Sequence, residues 1–213
     1  MTKAIIFDMD GVLVDSEPLH MQIEKQQFEL NNLVISEKEH HRYMGVASDV
    51  MWRTIALHHT LPLEVEALIE QNKAESIRFF SALEDIPLMP GVTQALEELY
   101  QMGLPMAVAS SSFHEIIELI LKRTGLRPYF QQVVSSKEAG KSKPEPDVFL
   151  LAASRLGVDP TDCLVVEDSF NGIKAAKAAG MRCIAFAGPG ANLEAQKQAN
   201  EHISHFDQLI ALL

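Results

Sequence analysis

Cysteine is almost missing from this chain. Among its 213 residues only Cys163 and Cys183 occur, each inside an apolar run, so the disulfide framework of a small secreted scaffold is excluded and reduced, buried thiols are expected. Positive charge is scarce as well: 18 Lys and Arg stand against 29 Asp and Glu, a formal net charge of −11. A surface that acidic argues against displacing counterions from nucleic acid or from anionic lipid, and an anionic ligand would need a local cation or a metal. Long hydrophobic stretches are also lacking. Met1 to Phe7 runs at once into charged residues, unlike the apolar region of a signal peptide, and no run approaches the ~20 residues that span a bilayer. The expectation is a soluble, cytoplasmic protein without nucleic-acid or membrane partners, monomeric or weakly homo-oligomeric.

What is present is apolar material, 47% of the chain, set in two rhythms. Short apolar runs at Ala4 to Phe7, Met106 to Ala109, Val133-Val134, Leu164 to Val166 and Cys183 to Phe186 alternate with segments of helical period. That alternation predicts a parallel sheet covered by helices. Val92, Ala95, Leu96, Leu99 and Met102 share one helical face before Gly103, and Ile116, Ile117, Ile120 and Leu121 do so before Gly125. Between about residues 16 and 86 the strands stop, and Val65, Leu68, Ile69 and Phe80 recur among Glu and Lys. The organisation expected is an α/β core, a Rossmann-like parallel sheet with helices on both faces, from residues 1–15 and 87–213, with an inserted α-helical cap at 16–86. Prolines at both joints, Pro18 on one side and Pro87 and Pro90 on the other, suit connectors between two bodies.

Ligands of open parallel sheets bind beyond the carboxyl ends of the strands, and four such ends carry polar residues. The first reads Asp8-Met9-Asp10-Gly11, two carboxylates with a glycine that permits a tight turn. A calcium loop is excluded, since it needs glycine at its sixth and glutamate at its twelfth position, where Leu13 and Leu19 stand; a plain turn accounts for the same residues. The second end, Ser110-Ser111-Ser112, offers a hydroxyl and helix-start N–H groups to a phosphoryl oxygen, or simply an N-cap. In Lys143-Pro144-Glu145-Pro146-Asp147 a rigidly placed ammonium could neutralise phosphate charge, although a solvated basic turn has the same composition. The fourth end, Glu167-Asp168-Ser169, supplies a second carboxylate pair that serves as helix caps or, with the first pair, as oxygen ligands for Mg2+.

Taken in order, Asp-x-Asp-Gly-Val, the strand-end serine, Lys-Pro-x-Pro-Asp and Glu-Asp-Ser-x-x-Gly resemble the four signature motifs of the haloacid dehalogenase superfamily. The resemblance implies that Asp8 attacks phosphorus and that Asp10 protonates the leaving oxygen and later deprotonates water. It also implies that Mg2+ binds Asp8, the carbonyl of Asp10, Asp168 and, directly or through water, Glu167, and that Ser110, Ser111 and Lys143 bind phosphoryl oxygens. A nucleophile near Mg2+ and lysine should stay ionised, whereas a proton donor such as Asp10 should have its pKa raised by burial under the closed cap. Dehalogenase chemistry is disfavoured, because Asp10 has a purpose mainly when an oxygen leaving group needs a proton.

Within the superfamily the chain is most similar to the β-phosphoglucomutase-like and sugar-phosphatase branch, through Gly11-Val12-Leu13-Val14-Asp15-Ser16 and then His20. In the mutases the matching histidine couples cap closure to proton transfer, and His20 is a candidate for that role or for a packing residue. Two departures weigh against a mutase: Ser112-Phe113-His114 stands where mutases carry Ser-Lys-Asn, and Gly45-Val46-Ala47-Ser48 lacks their phosphate-binding arginine. Arg53 or Lys73 would have to substitute, with Phe113 and His114 shaping specificity. The expected function is a Mg2+-dependent phosphatase for a small phosphorylated metabolite, such as a sugar phosphate. The alternatives are a phosphoglucomutase-type isomerase and a non-catalytic phospho-ligand binding module. The pairs His40-His41 and His58-His59 point ~100° apart on a helix and are expected to be exposed polar residues.

Overall fold

The computed structural model describes residues 2–188, 193–194 and 196–213. From the first strand β1 (Ala4–Phe7) the chain enters four helices, α1 (Glu17–Leu30), α2 (Glu37–His40), α3 (Ser48–Ala56) and α4 (Val65–Ala82). Strand and helix then alternate through α5 (Val92–Gln101), β2 (Met106–Ser110), α6 (His114–Arg123), β3 (Gln132–Ser135), α7 (Ser136–Ala139) and α8 (Asp147–Leu156). They continue with β4 (Cys163–Glu167), α9 (Phe170–Ala178), β5 (Arg182–Phe186), β6 (Glu201–Ile203) and α10 (Asp207–Ile210). The strands form one parallel six-stranded sheet of order β3-β2-β1-β4-β5-β6. Its chain order reverses at β1, which places a crevice at the carboxyl ends of β1, β2 and β4.

Alternation within the strands sorts the apolar side chains onto two faces. Ile5 and Phe7 of β1 join Val108, Leu164 and Val166 against α5 and α6. Ala4 and Ile6 join Ala107, Val165 and Cys183 against α8 and α9. Burial on both faces is why these strands read as continuous apolar runs. The stripe Val92, Ala95, Leu96 and Leu99 is buried as expected, but Met102 is 54% exposed because α5 has already ended. Strand β6 was not foreseen: Glu201-His202-Ile203 is a three-residue edge strand with one buried side chain, too short and polar for an apolar signal.

The helices between β1 and α5 have an apolar cluster of their own, with Phe28, Met51, Trp52, Ile55 and Leu68. Phe80 and Ile23 instead join the cluster against the sheet. The two connecting segments pair with each other: Val14 bridges Leu88 antiparallel, Asp15 N–H donates to the Pro87 carbonyl at 2.9 Å, and Met89 N–H to the Leu13 carbonyl at 3.0 Å. Beside this joint the Arg123 guanidinium donates to the carbonyls of Ser81 and Leu83, capping the end of α4 from α6. Among the described residues no helix is long and apolar enough to cross a membrane.

Candidate active site

Phe7 is in register with Val166, and Asp8 N–H donates to the Val166 carbonyl at 2.9 Å. Asp8 and Glu167 therefore leave the sheet as neighbours although they lie far apart in the chain. Between them sits the buried Lys143 ammonium, which donates to Asp8 Oδ1 at 2.6 Å, Glu167 Oε1 at 2.7 Å and the Ala109 carbonyl at 3.1 Å. The Phe149 ring lies 4.9 Å below it. The other Glu167 oxygen accepts from Ser169 N–H at 2.7 Å and Ser169 Oγ at 3.0 Å. Ser169 Oγ in turn caps α9 by accepting from Gly172 N–H at 3.0 Å. Two glycines make room for these carboxylates. A Cβ at Gly172 would fall 1.6 Å from Glu167 Oε1, and one at Gly11, whose φ is +79°, would fall 2.1 Å from Asp168 Oδ2.

Asp8, Glu167 and Asp168 each present an oxygen, all within 4.8 Å of one another. An all-oxygen, all-carboxylate set fits a hard cation such as Mg2+. Among the protein's own groups this crowding is costly. Burial first, then Glu167 and Asp10, push Asp8 up to about 8 against the pull of Lys143, and Asp168 rises well above the ordinary carboxylate range for the same reason. Burial alone would lower the Lys143 pKa, but Asp8 and Glu167 outweigh it and hold the ammonium above its usual value.

Asp10 is surrounded differently. Its Oδ1 accepts from Ser16 Oγ at 2.5 Å and faces His20 Nε2 at 3.0 Å, while Oδ2 accepts from Ser112 Oγ at 3.0 Å and Ser110 Oγ at 3.3 Å. Burial would raise its pKa, but the His20 charge and these hydrogen bonds bring it down to about 2. Burial likewise opposes the His20 charge, yet Asp10 with Glu17 and Glu24 takes the imidazolium up to about 9. The expectation of a raised Asp10 is thus reversed, because a cationic partner and three hydroxyls converge on it; around Asp8 it is acids that crowd together, the charge that a cation held there would offset.

The cluster opens into a cavity of about 70 Å³ bounded on its far side by the inserted helices. Ser111 and Ser112 line it, whereas Ser110, still within β2, is fully buried and turned toward Asp10. Phe113 also reaches the wall. Arg53, Lys73 and His114 do not: they flank an outer groove, Arg53 paired with Glu66 at 2.9 Å and Lys73 with Glu115 at 2.7 Å. His41 and His58 are exposed as expected, but His40 is buried, its Nε2 2.7 Å from Glu24 and its ring edge-on to Phe28, and His59 faces Glu39 at 2.8 Å. The sequence reasoning missed Ser16, Ser112 and Ser169, which hold the carboxylates, although all three sit inside the quoted motifs. It also missed Gln196, whose buried amide donates to the carbonyls of Asp168 and Phe186 at 2.8 and 2.9 Å and which no local pattern marks.

Comparison with known proteins agrees with this geometry. A family model described as a haloacid dehalogenase-like hydrolase matches residues 2–180. The probable pseudouridine-5'-phosphatase of Drosophila melanogaster is 33% identical over 98% of this chain and 88% of its own length. Hexitol phosphatase B of Escherichia coli K12 is 36% identical over 88% of this chain and 85% of its own. The crystal structure of CbbY from Rhodobacter sphaeroides in complex with phosphate superposes with a TM-score of 0.89 at 26% identity, covering 98% of this chain and 96% of that one. Such kinship over nearly the whole length makes this protein an enzyme of the haloacid dehalogenase-like hydrolase family.

Proposed function

We propose that the protein is a Mg2+-dependent phosphatase that hydrolyses a small phosphomonoester, such as a sugar phosphate, through an aspartyl-phosphate on Asp8. The observation that carries this reading is the convergence of three carboxylates within 4.8 Å on a lysine 2.6 Å from Asp8, at the open end of the sheet. Mg2+ held by Asp8, Asp168 and the Asp10 carbonyl, with Glu167 beside them, would keep Asp8 ionised and offset the repulsion between it and the phosphoryl oxygens.

In this reading Asp8 forms a bond to phosphorus as the ester oxygen leaves with a proton. That proton comes from the Asp10–His20 pair, where His20 Nε2 lies 3.0 Å from Asp10 Oδ1 and stays protonated through neutral pH. Water then attacks the phosphorus, returns a proton to the pair and releases inorganic phosphate, freeing Asp8. Lys143 and Ser111 bind phosphoryl oxygens, and Ser110 and Ser112 hold Asp10 in place. Residues 16–86 act as a cap on the core of 1–15 and 87–213. The cavity of about 70 Å³ is far smaller than the roughly 300–1,000 Å³ of ordinary ligand sites, so the cap must swing on the paired connectors to admit substrate.

Arg53 and Lys73, the cations that could grip a second phosphate, are paired outside the cavity, which supports a hydrolase over a mutase. The test is hydrolysis of p-nitrophenyl phosphate with Mg2+. Asp8→Asn should lower kcat by roughly 10⁴-fold or more; turnover within tenfold of the native enzyme sinks the proposed role.

A further inference from the structure

The wall that the inserted helices turn toward the carboxylates carries no lysine or arginine among the described residues. It includes Glu17 and Glu24 of α1, Ser48 of α3, and Asn72 and Ser76 of α4, and its one cationic group, His20 of α1, is paired with Asp10. Asn72 is only 4% exposed, and its amide nitrogen has no hydrogen-bond partner. Ser76 does not relieve it, since its hydroxyl donates to the Asn72 main-chain carbonyl at 2.8 Å. A buried, unsatisfied donor in an otherwise well-bonded site calls for an explanation, and here it borders the cavity. The two glutamates are each half engaged, Glu17 Oε1 by Gly45 N–H at 3.0 Å and Glu24 Oε2 by His40 at 2.7 Å. Each has a second oxygen with no hydrogen bond to the described residues.

We propose, resting on the phosphatase reading above, that the substrate is the monophosphate of an uncharged, polyhydroxylated molecule, and that Asn72 is its specificity-determining residue. Its amide donates to a hydroxyl or ring oxygen remote from phosphorus, while Glu17 and Glu24 accept from neighbouring hydroxyls. A hydroxyl group both donates and accepts and so satisfies this mixed wall. A second phosphoryl or carboxylate group only accepts and would meet two glutamates whose neighbouring histidines are already engaged, His20 Nε2 with Asp10 and His40 Nε2 with Glu24, so the same wall excludes it.

The experiment is steady-state kinetics with Mg2+ on a hexitol monophosphate, the corresponding bisphosphate and p-nitrophenyl phosphate. The monophosphate should exceed the bisphosphate in kcat/KM by roughly 100-fold. Asn72→Leu, which keeps the number and branching of side-chain heavy atoms but removes the donor, should lower the kcat/KM ratio of hexitol monophosphate to p-nitrophenyl phosphate by roughly tenfold or more. Asn72→Asp should lower that ratio too, and Asn72→Lys should raise turnover of the bisphosphate relative to the monophosphate. A bisphosphate used within threefold of the monophosphate, or a ratio unmoved in both the Leu and Asp variants, overturns the inference while leaving the phosphatase reading intact. No turnover of any of the three compounds above an Asp8→Asn control overturns both.

Discussion

Two residues apart in one loop, Asp8 and Asp10 occupy opposite electrostatic worlds. Asp8 shares a buried corner with Glu167, Asp168 and a single ammonium, and its proton affinity rises to about 8. Asp10 meets an imidazolium and three hydroxyls, and its affinity falls to about 2. Neighbouring carboxylates are thus given different tasks by what surrounds them. One corner is an acid-rich socket that a divalent cation would complete; the other already holds its counter-charge.

The contrast can be broken at three points. The largest effect should come from Lys143→Met, which removes the one cation shared by Asp8 and Glu167. Unpairing buried charge of this kind costs roughly 3–5 kcal/mol, to be read by urea denaturation in the presence of a chelator. A loss under 1 kcal/mol would mean that the Asp8 corner does not depend on that ammonium.

Next is His20→Gln. The folded pKa of His20 lies above its ordinary value, 6.5 rising to about 9. Its stabilising contribution is therefore fully present below about pH 6.5 and is lost as the pH climbs through about 9. A rise of this size corresponds to roughly 3–4 kcal/mol. The variant should be less stable than the native protein by about that much at pH 6 and nearly equal to it at pH 10; a gap of the same size at both pH values would contradict the pairing.

The smallest effect is expected for Ser112→Ala, one of the hydroxyls on Asp10. Losing that bond should cost roughly 1 kcal/mol and raise the Asp10 pKa, detectable by NMR titration of the carboxyl group. An unchanged or lower value would show that Ser112 is not helping to hold the anion.

Much of this arrangement was legible in the residues. Five of the six strands were readable because each is buried on both faces and reads as an apolar run; β6 escaped because it is a short polar edge. The acidic pairs were found because strand ends of a parallel sheet all open at the same side, so Asp8-Met9-Asp10 and Glu167-Asp168 were bound to meet there. The cations were harder. Arg53 and Lys73 looked available from composition, but helical geometry turns them to an outer groove where Glu66 and Glu115 neutralise them. Ser110 and Ser111 looked alike as phosphate contacts, yet Ser111 lines the cavity while the Ser110 hydroxyl turns to Asp10, since successive residues of an extended chain point to opposite sides.

The sequence by itself determined the parallel sheet, the helical insertion and the order of the motifs, because these follow from periods of two and 3.6 and from local turn chemistry. Only the tertiary structure decided which carboxylate meets a cationic partner and which is crowded by other acids, which serine reaches the cavity and that Asn72 borders it with an unpaired donor. Those properties depend on burial and on charges brought together from distant segments, as when Ser112 and His20 both close on Asp10, and such proximity leaves no periodic trace along the chain.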